Sequence, residues 1–252
     1  MKLIDARSIQ TGYRHGFRGS VTISKHLSAS IFSGEVVGLI GPNGCGKSTL
    51  LRSLSGLQSV LDGKVYIGET EISHMSPLER ARRISVVLTE RVHAGHLKAD
   101  TIVSLGRYPH SRLSGGLTAQ DRYVVERSFS AVGAETLRYR TVDELSDGEL
   151  QKVMVARALA QEPQIIMMDE PTAFLDVTRK VELMDLLETI ARTQGTAVLV
   201  SSHDLDLLMR ISTRMWLMDE SGRLHRGTPQ DREFKSLIRN VFHIPAHYVS
   251  FC

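Results

Sequence analysis

The chain has 252 residues, 42% hydrophobic and 23% charged, a composition that excludes a disordered or fibrous polypeptide. Its formal net charge of +3 carries no long run of like charge, which speaks against a basic nucleic-acid-binding arm. Only two cysteines occur, Cys45 and Cys252, so a disulfide framework is not expected and a reducing, cytoplasmic setting is.

Taken in chain order, MKLIDARSIQTGYRHG has no continuous apolar core of the kind a signal peptide needs. The stretches KLIDARSI, SVTI and LSASIF alternate or carry β-branched residues between turns, and read as three strands. VVGLI is a buried strand, and a helix runs from Lys47 to near Gly56. GKVYIGETEI at 63–72 reads as a short hairpin and ISVVL at 84–88 as another apolar strand. Helical segments dominate from Thr89 to Asp147, including 119–133, where Tyr123, Val124, Phe129 and Val132 follow helical spacing. Beyond them come a helix (148–161), a strand (165–169), a helix (177–194), a strand (196–201) and a helix (204–212). This alternation predicts an α/β fold with a mostly parallel core sheet, an antiparallel β edge subdomain and an inserted helical subdomain. The expected organisation is one domain over 1–252, with the insertion at roughly 89–147 and a C-terminal extension at roughly 214–252. The apolar runs, AVLV among them, fall far short of the ~20 residues a spanning helix needs.

Gly41-Pro42-Asn43-Gly44-Cys45-Gly46-Lys47-Ser48 matches G-x-x-x-x-G-K-[ST], with a strand before it and a helix after. Its glycines free backbone N–H groups to point at phosphate oxygens, and the helix N-terminus adds its positive end. Lys47 is expected on the β- and γ-phosphates, Ser48 on Mg²⁺ and Thr49 on the α-phosphate. QIIMMDEP is a strand ending in two carboxylates at its ligand-facing end. Asp169 is expected to hold Mg²⁺, and Glu170 to orient the attacking water. AVLVSSHD brings His203 to a third such strand end. In ELSDGELQKVMVARALAQEP, Ser146 and Glu149 form a capping box that starts a helix stopping before Pro163.

LSDGE also resembles the signature of ABC-type ATPases, usually LSGGQ. The order of phosphate loop, signature and Asp-Glu strand is similar to that family over nearly the whole chain. The resemblance implies a P-loop NTPase of the ABC ATPase kind, binding ATP and Mg²⁺ and pairing head to tail with a second copy of itself. Ser146 and Gly148 would then meet the γ-phosphate of the partner's ATP, Asp176 would lie in the loop crossing the interface, and Tyr13 would stack on adenine. LGRYPHSR at 105–112, the signature helix and DEPTAFLD more narrowly resemble ATPase subunits of bacterial importers for iron-siderophores, haem and cobalamin. That likeness implies permease subunits as partners, a substrate-binding protein acting indirectly, no nucleic acid, and a peripheral place on the cytoplasmic face of the inner membrane.

Two residues depart from the family pattern. Where a Gln usually contacts Mg²⁺ at the end of ISVVL, this chain has Thr89 followed by Glu90; a Thr hydroxyl still offers a metal or water contact. Glu149 replaces the usual signature Gln, and the capping box accounts for a carboxylate there. Two other readings remain at this level: a soluble, non-transport ABC ATPase, and a module whose nucleotide is purely structural. The first usually carries tandem cassettes or coiled-coil insertions, and this chain has neither. The complete Asp-Glu pair and His203 argue against the second.

Overall fold

The computed structural model describes residues 1–14, 19–89, 95–110 and 116–245. Two long strands, β1 (Lys2–Arg14) and β2 (Ser20–Phe32), open the chain, followed by β3 (Val36–Ile40), α1 (Lys47–Leu54), β4 (Asp62–Ile67), β5 (Thr70–Glu71), α2 (Pro77–Ala81) and β6 (Ile84–Val87). Next come α3 (Ala99–Leu105), α4 (Ala119–Ala131) and α5 (Asp147–Ala160), then β7 (Ile165–Asp169), α6 (Val177–Gln194), β8 (Ala197–Ser201) and α7 (Leu205–Ile211). The described chain closes with β9 (Arg214–Met218), β10 (Leu224–Gly227) and α8 (Arg232–Val241).

A six-stranded sheet runs in the order β10-β9-β3-β8-β7-β6, and all its pairings are parallel except β10 with β9. Its central strands VVGLI, IIMMD and AVLVS are buried at every residue, because both faces are covered. Alternate side chains feed two cores. Val36, Ile40, Ile166, Met168, Val198 and Val200 pack with α5 and α6. Val37, Leu39, Ile165, Met167 and Leu199 pack with α1 and with the inner face of a second, antiparallel sheet of order β2-β1-β4-β5.

The N-terminal strands differ from the sequence expectation. SVTI and LSASIF are one continuous strand, because bulges absorb the breaks in alternation. Between the pairs Ala6↔Ala29 and Ile9↔Leu27, β1 has one residue more than β2; between Ile9↔Leu27 and Thr11↔Ser24, β2 has the extra one. Ser8 and His26, at φ 46° and 53°, take the left-handed conformations at those points. Residues 214–241, which carry no motif, supply β9, β10 and α8; β9 pairs with β3 and buries Trp216 completely. The last seven residues, most of the apolar segment VFHIPAHYVSFC, lie outside those described, as do Glu90 and the end of LGRYPHSR.

Arg107 ties the helical insertion to the C-terminal end of α5. Arg107 Nε donates to Asp121 Oδ1 at 2.9 Å, and its Nη1 donates to Ala160 O at 2.7 Å and Glu162 Oε2 at 2.8 Å. Preceding it, Gly106 comes so close that a Cβ would stand 2.4 Å from the Arg157 carbonyl. Asp121 Oδ2 also accepts from the Thr118 hydroxyl and N–H, capping α4. The Thr118 hydroxyl and the Arg107 guanidinium hold the Asp121 carboxyl down at about 2, against an ordinary 3.8. Since the folded value is depressed, its stabilisation is complete above about pH 4 and is lost as pH falls through 2. Asp121→Ala should destabilise the protein by about 3 kcal/mol at neutral pH, the low end for a broken buried pair because Glu162 still faces Arg107. Denaturant unfolding should show this deficit shrinking as pH falls below 4; a deficit independent of pH would contradict the ion-pair account.

Candidate functional site

The loop of residues 41–46 joins the end of β3 to α1, and backbone geometry explains its glycines. Gly44 and Gly46 sit at φ 79° and 108°, conformations that side chains other than glycine rarely adopt. At Gly46 a Cβ would also stand 2.4 Å from Ile23 Cγ2, so the antiparallel sheet presses directly on the loop. Pro42, Asn43 and Gly44 form its outward turn, with Cys45 N–H reaching back to Pro42 O at 3.4 Å. Lys47 is buried and its Nζ donates to Gly41 O at 2.9 Å and Pro42 O at 3.3 Å, across the loop's mouth. Ser48 is exposed on the first turn of α1, and Thr49 is buried behind it.

Three further strand ends, those of β6, β7 and β8, gather beside this loop. Asp169, buried at the end of β7, accepts at Oδ1 from Ser201 Oγ at 2.7 Å. The same Ser201 oxygen accepts from Glu170 N–H at 2.9 Å, so one hydroxyl from β8 fixes both acidic residues. The sequence reading missed Ser201; its only signal was a polar residue ending an apolar strand. Glu170 has φ 50° although Pro171 follows it, whereas a residue before proline ordinarily prefers extended backbone. Conformations of this kind cost about 1–3 kcal/mol and persist where neighbours dictate them.

The Glu170 carboxylate points back toward Lys47 Nζ, 4.0 Å away, and His203 Nε2 stands 2.9 Å from its Oε1. That oxygen is sealed from solvent and completes no hydrogen bond, so the imidazole lies close to it without an aligned bond. Burial raises the Glu170 pKa above the ordinary carboxylate value, against the opposing pull of His203 and Lys47. From β6, Thr89 Oγ1 donates to Asp169 O at 2.8 Å. This uses the hydroxyl proton and leaves oxygen lone pairs to accept or ligate.

Ser146 N-caps α5 and forms the full capping box with Glu149. Glu149 Oε1 also accepts from Arg140 Nη1 at 2.7 Å. Asp147, at the start of α5, lines a cavity of about 40 Å³ together with Thr89 and Glu170. Gly148 lies against the next helix, where a Cβ would stand 3.3 Å from Arg179 Cγ. Asp176 N-caps α6 by accepting from Arg179 N–H at 2.9 Å. Tyr13, half-exposed on β1, places its hydroxyl 3.0 Å from Thr49 Oγ1. Lys47, Thr89, Asp169, Glu170 and His203 thus converge in one place, Tyr13 adjoins it through Thr49, and the caps Ser146 and Asp176 begin the two helices beside it.

These donors suit Mg²⁺. Ser48, Thr89 and Asp169 offer hard oxygens, and the described residues contain no cluster of three or more His, Cys, Asp or Glu. A site with few protein ligands is what an ion that keeps water and phosphate oxygens needs.

The sequence matches the family described as ABC transporter over residues 24–173, more than half of its length. The chain belongs to the ABC transporter family. Among its relatives, an uncharacterised ABC transporter ATP-binding protein of Methanocaldococcus jannaschii is 36% identical over 95% of this chain and 81% of its own length. The ferric enterobactin transport ATP-binding protein of Escherichia coli is 34% identical over 89% of this chain and 83% of its own. Among solved structures, the dimeric post-hydrolysis state of an ATP-binding cassette bound to ADP and Pi superposes with a TM-score of 0.76, at 25% identity over 89% of this chain and 98% of that one. This ABC cassette is a nucleotide-binding ATPase, and none of its described helices is long and apolar enough to cross a membrane.

Cys45 sits inside the loop with its thiol buried, and burial pushes its pKa up. In a Cys252→Ser background, Cys45 should react with a disulfide reagent at neutral pH at least ~10-fold more slowly than in the unfolded chain. Equal rates would show that the thiol is not enclosed.

Proposed function

We propose that this ABC ATPase is the energy-coupling subunit of a bacterial importer. Two copies pair head to tail, and ATP binding and hydrolysis drive uptake of an iron-siderophore through membrane permease subunits. The protein works at the cytoplasmic face of the inner membrane, served by a separate substrate-binding protein. The observation that carries this reading is the likeness to the ferric enterobactin subunit across most of both chains, with a hydrolytic site complete in its acidic residues.

In this reading the backbone N–H groups of Gly41, Asn43, Gly44, Cys45 and Gly46 surround the phosphates, Pro42 shapes the turn between them, and Lys47 leaves the carbonyls of Gly41 and Pro42 for the β- and γ-phosphates. Thr49 takes the α-phosphate, and the Tyr13 ring stacks on adenine. Ser48 and Asp169 hold Mg²⁺, which supplies charge neutralisation on the phosphates when bound. Thr89 adds a contact to the ion or its water.

Glu170 orients the attacking water and accepts its proton; a pKa raised by burial makes it a stronger base than an exposed carboxylate. His203 lies against that carboxylate and faces the γ-phosphate. Ser146 and Gly148 bring the positive end of α5 to the partner's γ-phosphate. Asp176 belongs to the loop that crosses the interface.

Glu170→Gln should retain ATP and lose about 10²–10⁴-fold in turnover. Near-normal turnover would remove Glu170 from its role. Purified with ATP from native membranes, this variant should carry a protein with many membrane spans. A soluble partner found reproducibly without one would favour the non-transport ATPase instead. Thr89→Ala should weaken Mg²⁺ dependence and slow turnover about 2–10-fold, the effect of a lost contact worth roughly 0.5–1.5 kcal/mol. Unchanged Mg²⁺ dependence and turnover would reject the Thr89 contact.

A further inference from the structure

Next to His203 lies a set of polar contacts that the hydrolytic roles above leave unused. Asp204 Oδ2 accepts from Thr172 Oγ1 at 3.0 Å, and the Thr172 and Ser202 hydroxyl oxygens are 3.1 Å apart. The Asp204 N–H donates to Ser202 Oγ at 3.0 Å. Thr172 and Ser202 are both about 1% exposed, so each hydroxyl must be satisfied within the protein. The Asp204 N–H donates to Ser202, the Thr172 proton goes to the Asp204 carboxylate, and the Ser202 proton has two acceptors, Thr172 Oγ1 at 3.1 Å and Asp204 Oδ2 at 3.5 Å.

Lys180 closes the set from outside, with Nζ 3.1 Å from Asp204 Oδ2 and 3.2 Å from Oδ1. The four residues come from three places: Thr172 follows the Asp169–Glu170–Pro171 turn, Ser202 and Asp204 flank His203, and Lys180 lies in the first turns of α6. His203 itself is half-exposed and makes no aligned bond to Glu170, so the imidazole does not hold its own place.

We infer that Asp204 is a positioning residue for ATP hydrolysis: through Thr172, Ser202 and Lys180 it locks His203 to the turn bearing Glu170 and to the helix capped by Asp176. Both carboxylate oxygens are engaged, and the bonds involve a charged partner in a partly dry setting, where such bonds are strongest. ATP is gripped by the phosphate loop on another strand, so this lock acts on turnover and leaves nucleotide affinity alone. The inference rests on the assignment of His203 to the γ-phosphate.

The test is steady-state ATP hydrolysis by the full chain in its assembled form, for Asp204→Ala, His203→Ala and the double variant. Asp204→Ala should lower kcat about 10-fold or more with KM within about twofold, the pattern of an interaction expressed in the transition state. Because Asp204 acts through His203, the double variant should be no slower than His203→Ala alone. Multiplying losses, or kcat and KM shifting together, would overturn the inference. Asp204→Asn keeps one acceptor oxygen and should recover part of kcat.

If Asp204→Ala does not fold, Lys180→Met removes the outer contact at a partly exposed position and should lower kcat a few-fold at constant KM; an unchanged kcat would overturn the link to α6. Full turnover in His203→Ala would instead strike the assignment on which this inference rests. Slow His203→Ala with normal Asp204→Ala would strike the inference alone.

Discussion

Complete burial of β3, β8 and β7 is the constraint on which the rest depends. A strand covered on both faces has no side chain free for chemistry along its length, so polar groups can emerge only at its ends. Because these strands are parallel, their carboxyl ends lie along one edge. The phosphate loop begins where β3 ends, Asp169 closes β7 with Glu170 next to it, and His203 stands two residues past β8. A single catalytic edge is therefore a consequence of how the core is sealed.

At that edge the structure holds Glu170 in an unfavourable backbone state. Its left-handed φ before proline is retained because Ser201 receives its N–H while also donating to Asp169. The strain aims the carboxylate toward Lys47 and His203 rather than out to solvent. Enclosure then keeps the proton affinity of that carboxylate high. Conformation and electrostatics at Glu170 have the same origin: the β8 hydroxyl and the closeness of the neighbouring strand.

Much of this was legible in the sequence, for reasons that can be located. VVGLI, IIMMD and AVLV are short apolar runs too rich in β-branched or large residues for surface strands, and the phosphate loop states its geometry in its glycines. Ser146 with Glu149 announces α5 because both halves of the cap are local. What stayed hidden depends on partners far away in sequence. RMWLM takes its place in the core by pairing with β3, a strand far away in sequence, and no motif within the five residues names that partner. The contacts among Thr172, Lys180, Ser202 and Asp204 join residues up to 32 positions apart. The left-handed Glu170 runs against its local preference, so sequence alone would have extended it.

The opposed bulges of β1 and β2 carry a consequence for how this fold tolerates change in length. Tyr13 faces Thr49 because the extra residue at Ser8 has already reset the alternation of β1 upstream. Loss of that one residue, five positions before the aromatic ring, would turn every later side chain of the strand to the opposite face. Tyr13 would leave the phosphate loop and Arg14 would take its side of the sheet. A single codon within the first ten positions therefore sets which side chain of β1 meets Thr49.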